Sequence, residues 1–186
     1  AKNALGVTES DPGWTMFRQA GKDGNFSLIF GAGARTFKGM LSKQAGIDWP
    51  ESECNDFGQA WREEYPECPR AHRQAADTVY RRGYVRLKNG KLSWFTPTER
   101  YQESQKGFNR FVQASLAEFS KDWMLWIEQE FPGLLVNWVH DAAYLEVPHG
   151  EEWKVNQIET EGVRFFQEYF DIVGSIDMHV ESRGKR

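Results

Sequence analysis

Cysteine is scarce in this chain: Cys54 and Cys68 are the only two among 186 residues. They are too far apart, with no accompanying His pattern, to read as a zinc finger or ribbon. The expectation is a pair of reduced thiols in a cytoplasmic protein. No apolar run approaches the length of a membrane span, and the first residues carry no signal-peptide pattern, so no membrane partner is expected. Excess positive charge is also missing: 23 Lys and Arg against 27 Asp and Glu leave a net −4. That argues against a simple basic DNA-binding module, whose affinity comes from neutralising phosphates. The glycines of Gly31-Ala-Gly-Ala are not followed by Gly-Lys-Ser/Thr, which excludes a phosphate loop of that type. An initiator Met is lacking too, and the expectation is a processed product or part of a longer polypeptide.

Aromatic residues, by contrast, are plentiful at 15%, with 8 Trp. They serve as core or as stacking surfaces for bases. Charge is unevenly spread. From Arg70 to Lys91 seven Lys or Arg face one Asp, whereas Glu151 to Asp171 holds six acids and two bases. One face can therefore meet phosphate while another stays acidic and solvated.

Periodicity predicts a mixture of helices and hairpins. A helix runs from Trp14 to Phe30, a short amphipathic one spans 35–47 through Phe37, Met40 and Leu41, and another follows Asp48-Trp-Pro-Glu-Ser. Pro66 and Pro69 break the pattern, and the next helix is expected over Arg70–Arg82. Lys88-Asn-Gly between β-forming runs predicts a hairpin. Thr98–Phe131 reads as one long helix with Phe108, Val112, Leu116, Phe119, Trp123 and Ile127 inward. Two strands then flank His140-Asp141. A helix over 151–170, apolar through Trp153, Val163, Phe166 and Phe170, and a last strand over 172–180 complete the chain.

Within the first helix, Arg18, Lys22, Phe26 and Phe30 recur every four residues and stack on one side. Two cations followed by two rings suit a triphosphate and a base. A bent helix with no ligand is the competing reading, since Gly21 and Gly24 each cost roughly 1 kcal/mol relative to Ala. Both glycines flank Lys22, where a missing side chain would let a ligand approach the backbone. Asn109, Gln113 and Lys121 form a polar face on the long helix, which reads either as solvated surface or as donors to base edges. Asp141 sits at a tight turn between apolar strands, a place that suits a hydrogen-bonded turn or a metal ligand.

Taken together, these pieces resemble DNA polymerase family A, the DNA polymerase I type. Arg18…Lys22…Asn25-Phe26…Phe30-Gly31 is similar to its nucleotide-binding fingers helix. Phe108-Asn109…Gln113…Lys121 is similar to the palm helix lining the primer–template minor groove. Val139-His140-Asp141…Leu145-Glu146-Val147-Pro148 resembles the final catalytic motif, and Tyr80-Arg-Arg-Gly-Tyr-Val with its hairpin matches the segment joining fingers to palm. Gly-Ala-Gly after Phe30 leans toward phage-type members. The resemblance implies an α+β fold with a helical fingers lobe (1–97, with the connecting hairpin) and a palm portion with a small antiparallel sheet (98–186), part of a right-hand polymerase. It implies Asp141 as catalytic residue and metal ligand, Lys22 as phosphate ligand and acid toward pyrophosphate, and Arg18, Phe26 and Phe30 as nucleotide contacts. Asn109, Gln113 and His140 would contact primer and template. The implied cofactor is Mg²⁺ at a two-metal site, and the implied partners are primer–template DNA, deoxynucleoside triphosphates and an N-terminal polymerase chain or segment. The expected setting is the cytoplasm of a bacterial or phage-infected cell.

Three departures bear on activity. The family's other metal-binding Asp has no counterpart in this sequence, Ala142 stands where a Glu is usual, and Phe30 replaces a Tyr. The chain is therefore expected to be the C-terminal part of a split or longer polymerase. A degenerate lobe that binds nucleic acid or protein without catalysis is the alternative.

Overall fold

Residues 10–140 and 142–172 are described in the computed structural model of the chain. In chain order they form α1 (Trp14–Ile29), α2 (Ala34–Ala45), α3 (Glu51–Glu64), α4 (Glu67–Arg82), β1 (Tyr84–Arg86), β2 (Leu92–Trp94), α5 (Pro97–Gln102), a 3₁₀ turn (Ser104–Lys106), α6 (Gly107–Glu130), β3 (Leu135–Val139), β4 (Ala142–Leu145) and α7 (Trp153–Phe170). The fold is mostly helical with two small antiparallel sheets, β1–β2 and β3–β4. Both hairpins are those expected from the sequence. The strand expected over 172–180 lies, beyond Ile172, outside the described residues. Two compact units result: Ala1–Tyr84 with Phe95–Asn109, and Val85–Trp94 with Arg110–Arg186.

The first unit is built on the apolar faces of α1, α2 and α3. Ala20, Leu28, Phe37, Leu41, Cys54 and Trp61 form its buried core. Phe37 stacks on Phe57 with centroids 5.3 Å apart. Gly24 belongs to this packing: a Cβ there would lie 3.0 Å from the Phe37 ring. The glycine thus admits a neighbouring aromatic, not a ligand as its place beside Lys22 had suggested. Trp61 donates its indole N–H to Asn25 Oδ1 at 3.0 Å, tying α3 to α1. Both cysteines are free thiols, and burial pushes that of Cys54 up.

α4 starts three residues earlier than expected, with Pro66 at its cap and Pro69 inside its first turn. The first backbone N–H groups of a helix need no intrahelical acceptor, so Pro69 removes nothing there. The long helix expected over Thr98–Phe131 is instead broken. α5 opens with a reciprocal cap, Thr96 Oγ1 accepting from Glu99 N and the Glu99 carboxylate accepting from Thr96 N. It ends at Gln102 with Glu103 as its cap, and α6 begins at Gly107. The break brings Gly107 against α4, where an added Cβ would stand 2.8 Å from Val79 Cγ2 and 3.0 Å from the Ala75 carbonyl oxygen.

In the second unit Phe119, Trp123 and Ile127 of α6 pack with Phe131, Leu134 and Ile158. Phe119 meets four rings of α7, closest on Phe166 at 4.9 Å. Leu116, expected inward, is exposed. Its neighbour Ser115 is buried in its stead, accepting a hydrogen bond from Lys88 N at 3.3 Å so that the β1–β2 turn seats on α6. Trp153 is likewise exposed and lies outside the apolar face of α7. In the β3–β4 ladder Leu135 faces Leu145, whereas Asn137 faces Tyr144, so Val136 is an extra residue.

Candidate nucleotide-binding helix and catalytic hairpin

α1 carries three of the four residues singled out by their spacing, and the fourth, Phe30, is its C-cap. Arg18 and Lys22 are exposed, and neither is ion-paired to a carboxylate among the described residues. Phe26 is 60% exposed, so its ring is open to whatever lies along this side of the helix. Lys22, Asp23, Asn25, Phe26 and Ile29 line one open, shallow depression along the helix. Phe30 is half-buried, with its centroid 4.7 Å from Phe26 and 6.5 Å from Phe108.

The end of α1 is unusually complete. The last four carbonyls of a helix have no intrahelical partner. Here Gly31, at φ +82, donates to Leu28 O at 2.9 Å and Ala32 N to Ser27 O at 2.9 Å, the paired bonds of a Schellman turn. The remaining two carbonyls are taken by side chains from elsewhere. His72 of α4 lies with Nε2 2.8 Å from Ile29 O, and Asn109 of α6 donates through Nδ2 to Phe30 O at 3.3 Å. His72 also packs tilted against Phe108, with centroids 4.4 Å apart, and lies beneath Gly31, where a Cβ would stand 3.1 Å from its ring. Sequence reasoning missed His72, because its partner is a backbone carbonyl 43 positions away.

Arg18, Lys22, Phe26, Phe30 and Asn109 therefore belong to the first unit, the last two joined by a hydrogen bond. The Asn109 amide is turned to this bond, and its Oδ1 is buried without a partner among the described residues. Gln113, one turn further along α6, is exposed and belongs to the second unit, as does His140. His140 occupies the tip of the β3–β4 hairpin with φ +56, the sign that primed two-residue turns require at their first position. Trp138 donates its indole N–H to the His140 carbonyl oxygen at 2.6 Å. Asp141 lies outside the described residues.

A third cluster joins the β1–β2 turn to α6. Glu118, whose side chain is 13% exposed, is ion-paired to Lys91 and, at 2.8 Å, to Lys121. Asn89 donates to the same carboxylate at 3.3 Å. The bonds to Lys121 and Lys91 hold the Glu118 carboxyl at about 2, and the same contact raises Lys91. Lys121, placed by sequence on the polar face, is thus engaged within the protein.

The model of DNA polymerase family A matches residues 1–182. The chain belongs to this family. Among solved structures it is similar to the polymerase domain of Pol1 from M. smegmatis in complex with DNA primer-template and dNTP, with a TM-score of 0.66 and 20% identity. That match covers 88% of this family A chain and 30% of the mycobacterial one, so the chain spans about a third of its structural relative. No curated protein sequence matches it. As a test of the cofactor expected for a family A member, no three His, Cys, Asp or Glu side chains gather as a metal site among the described residues. Asp141, the one metal ligand expected in this chain, lies outside those residues.

Proposed function

We propose that this chain is the C-terminal part of a template-directed DNA polymerase that adds deoxynucleotides to a primer 3′ end, with fingers over 1–97 and a palm portion over 98–186. The observation that carries the reading is the α1 face: two cations without carboxylate partners among the described residues, and an exposed ring, in the order of the family's nucleotide helix. Arg18 and Lys22 would hold the β- and γ-phosphates of the incoming nucleotide. Lys22 would also protonate the departing pyrophosphate. Phe26 would pack on sugar and base, and Phe30 near the templating position. Asn109, Gln113 and His140 would contact primer and minor groove, where acceptors recur at similar places in every base pair. Asp141 would be this chain's ligand for Mg²⁺, which when bound supports in-line displacement at the α-phosphate. The second carboxylate of that site would come from polymerase sequence outside these 186 residues.

Ala142, in place of the usual Glu, favours the second reading: a lobe that binds DNA without catalysis. Template-dependent primer extension with Mg²⁺, in the presence of the N-terminal polymerase portion, separates the two. The catalytic reading expects extension by the wild type and none by Asp141→Ala. Robust extension by that variant would remove Asp141 from the chemistry, and DNA binding without extension by the wild type would leave only the second reading.

A further inference from the structure

We propose that His72 is a positioning residue for the incoming nucleotide, acting through the end of α1. The inference rests on the reading of α1 as the nucleotide helix. Four orphan carbonyls close that helix, and two of them depend on side chains from other helices: Ile29 O on His72 and Phe30 O on Asn109. The two acceptors are adjacent, and the His72 ring packs tilted against Phe108, the neighbour of Asn109, at 4.4 Å. Phe108 in turn borders Phe30, which contacts Phe26. One chain of contacts therefore runs from α4 through His72 and Phe108 to the two rings of the nucleotide face. Gly31 completes the seat, since its φ of +82 disfavours a side chain and a Cβ there would press on the imidazole at 3.1 Å. His72 works by fixing the last turn of α1 through the Ile29 carbonyl, and with it Phe26 and Phe30. Losing its bond frees one helix-end carbonyl and lets that turn shift. Binding and orientation of the nucleotide suffer first, because small displacements of a positioning group weaken catalysis steeply.

The test uses the complete, extension-competent enzyme and three variants. His72→Phe keeps a ring on Phe108 but removes the donor. His72→Gln returns a donor. Lys22→Ala removes a proposed phosphate ligand. His72→Phe is expected to raise the nucleotide KM about tenfold, the effect of losing one hydrogen bond at a positioned group, and His72→Gln to restore it to within about threefold. Primer–template Kd should stay near wild type in both, while the melting temperature of His72→Phe should fall by only a few degrees, the scale of one lost hydrogen bond. An unchanged KM in His72→Phe overturns the proposal, as does a Gln variant no better than Phe. An equal rise in primer–template Kd also overturns it, since the defect would then be general. A Lys22→Ala enzyme with unchanged KM would instead bring down the reading of α1. If Lys22→Ala raises KM and His72→Phe does not, only the role of His72 falls.

Discussion

Asn109 donates a hydrogen bond to the carbonyl oxygen of Phe30 across 79 positions of sequence, at 3.3 Å. A residue whose type and spacing point to DNA is thereby tied to the end of the helix whose spacing points to the nucleotide. The bond also fixes which way the amide faces, with Nδ2 toward the carbonyl and Oδ1 buried.

That orientation gives a stability prediction. Asn109→Ala leaves the Phe30 carbonyl without its donor and should cost about 1 kcal/mol. Asn109→Asp sets a carboxylate oxygen against the same carbonyl and should cost more than Ala does. Urea unfolding of the two variants checks the order. Asp tolerated as well as Ala would mean that the amide does not donate to Phe30.

The exposed ring of Phe26 gives a prediction about substrate choice. In this family Phe at the position goes with discrimination against dideoxynucleotides and Tyr with their acceptance. With the ring 60% exposed, a hydroxyl meets no packed neighbour, so Phe26→Tyr should fold as the wild type does. Its preference for deoxy- over dideoxynucleotides should drop by about tenfold or more, the scale of one added hydrogen bond. Competitive incorporation reads the ratio directly, and equal ratios before and after would contradict the placement of Phe26 on the sugar.

Glu118 sets a pH dependence. Its carboxyl is lowered from 4.5 to about 2 by Lys121 and Lys91. A group depressed in the folded state stabilises fully above its unfolded pKa, and that contribution disappears as pH falls toward the folded one. The contribution should therefore be intact above about pH 4.5 and fade between there and about pH 2. Acid unfolding of Glu118→Gln should show a shallower decline across this window than the wild type. Parallel curves would mean that the lysines do not hold the carboxylate in solution.

Much of the architecture is legible in the sequence, because the helix period and the Asn89-Gly90 turn are local signals. The alignment of Arg18, Lys22, Phe26 and Phe30 along one side of α1 and its cap is legible for the same reason, because it follows from the helical period alone. What escapes reading depends on distant partners. The break before α6 exists because Gly107 must approach Val79 and Ala75 of α4, and nothing near residue 107 says so. Ser115 replaces Leu116 in the interior because a turn 27 positions earlier needs its hydroxyl. Pro69 misleads because a proline in a first helical turn looks, in sequence, like one that ends a helix. His72 is invisible for the most general reason, that its partner is a main-chain oxygen.

The extra residue at Val136 has a consequence for the β3–β4 hairpin. Side chains of a strand alternate between faces, so one inserted residue reverses the parity of everything after it. Leu135 and Trp138, three apart, both turn toward the core with their partners Leu145 and Ala143, while Val139 and Ala142 turn outward. Without the insertion Trp138 would leave its 5.5 Å contact with Trp123, and the residues leading into the tip would emerge on the opposite side. The handedness of presentation at the tip is thus written four residues upstream of His140, in a valine that is itself exposed.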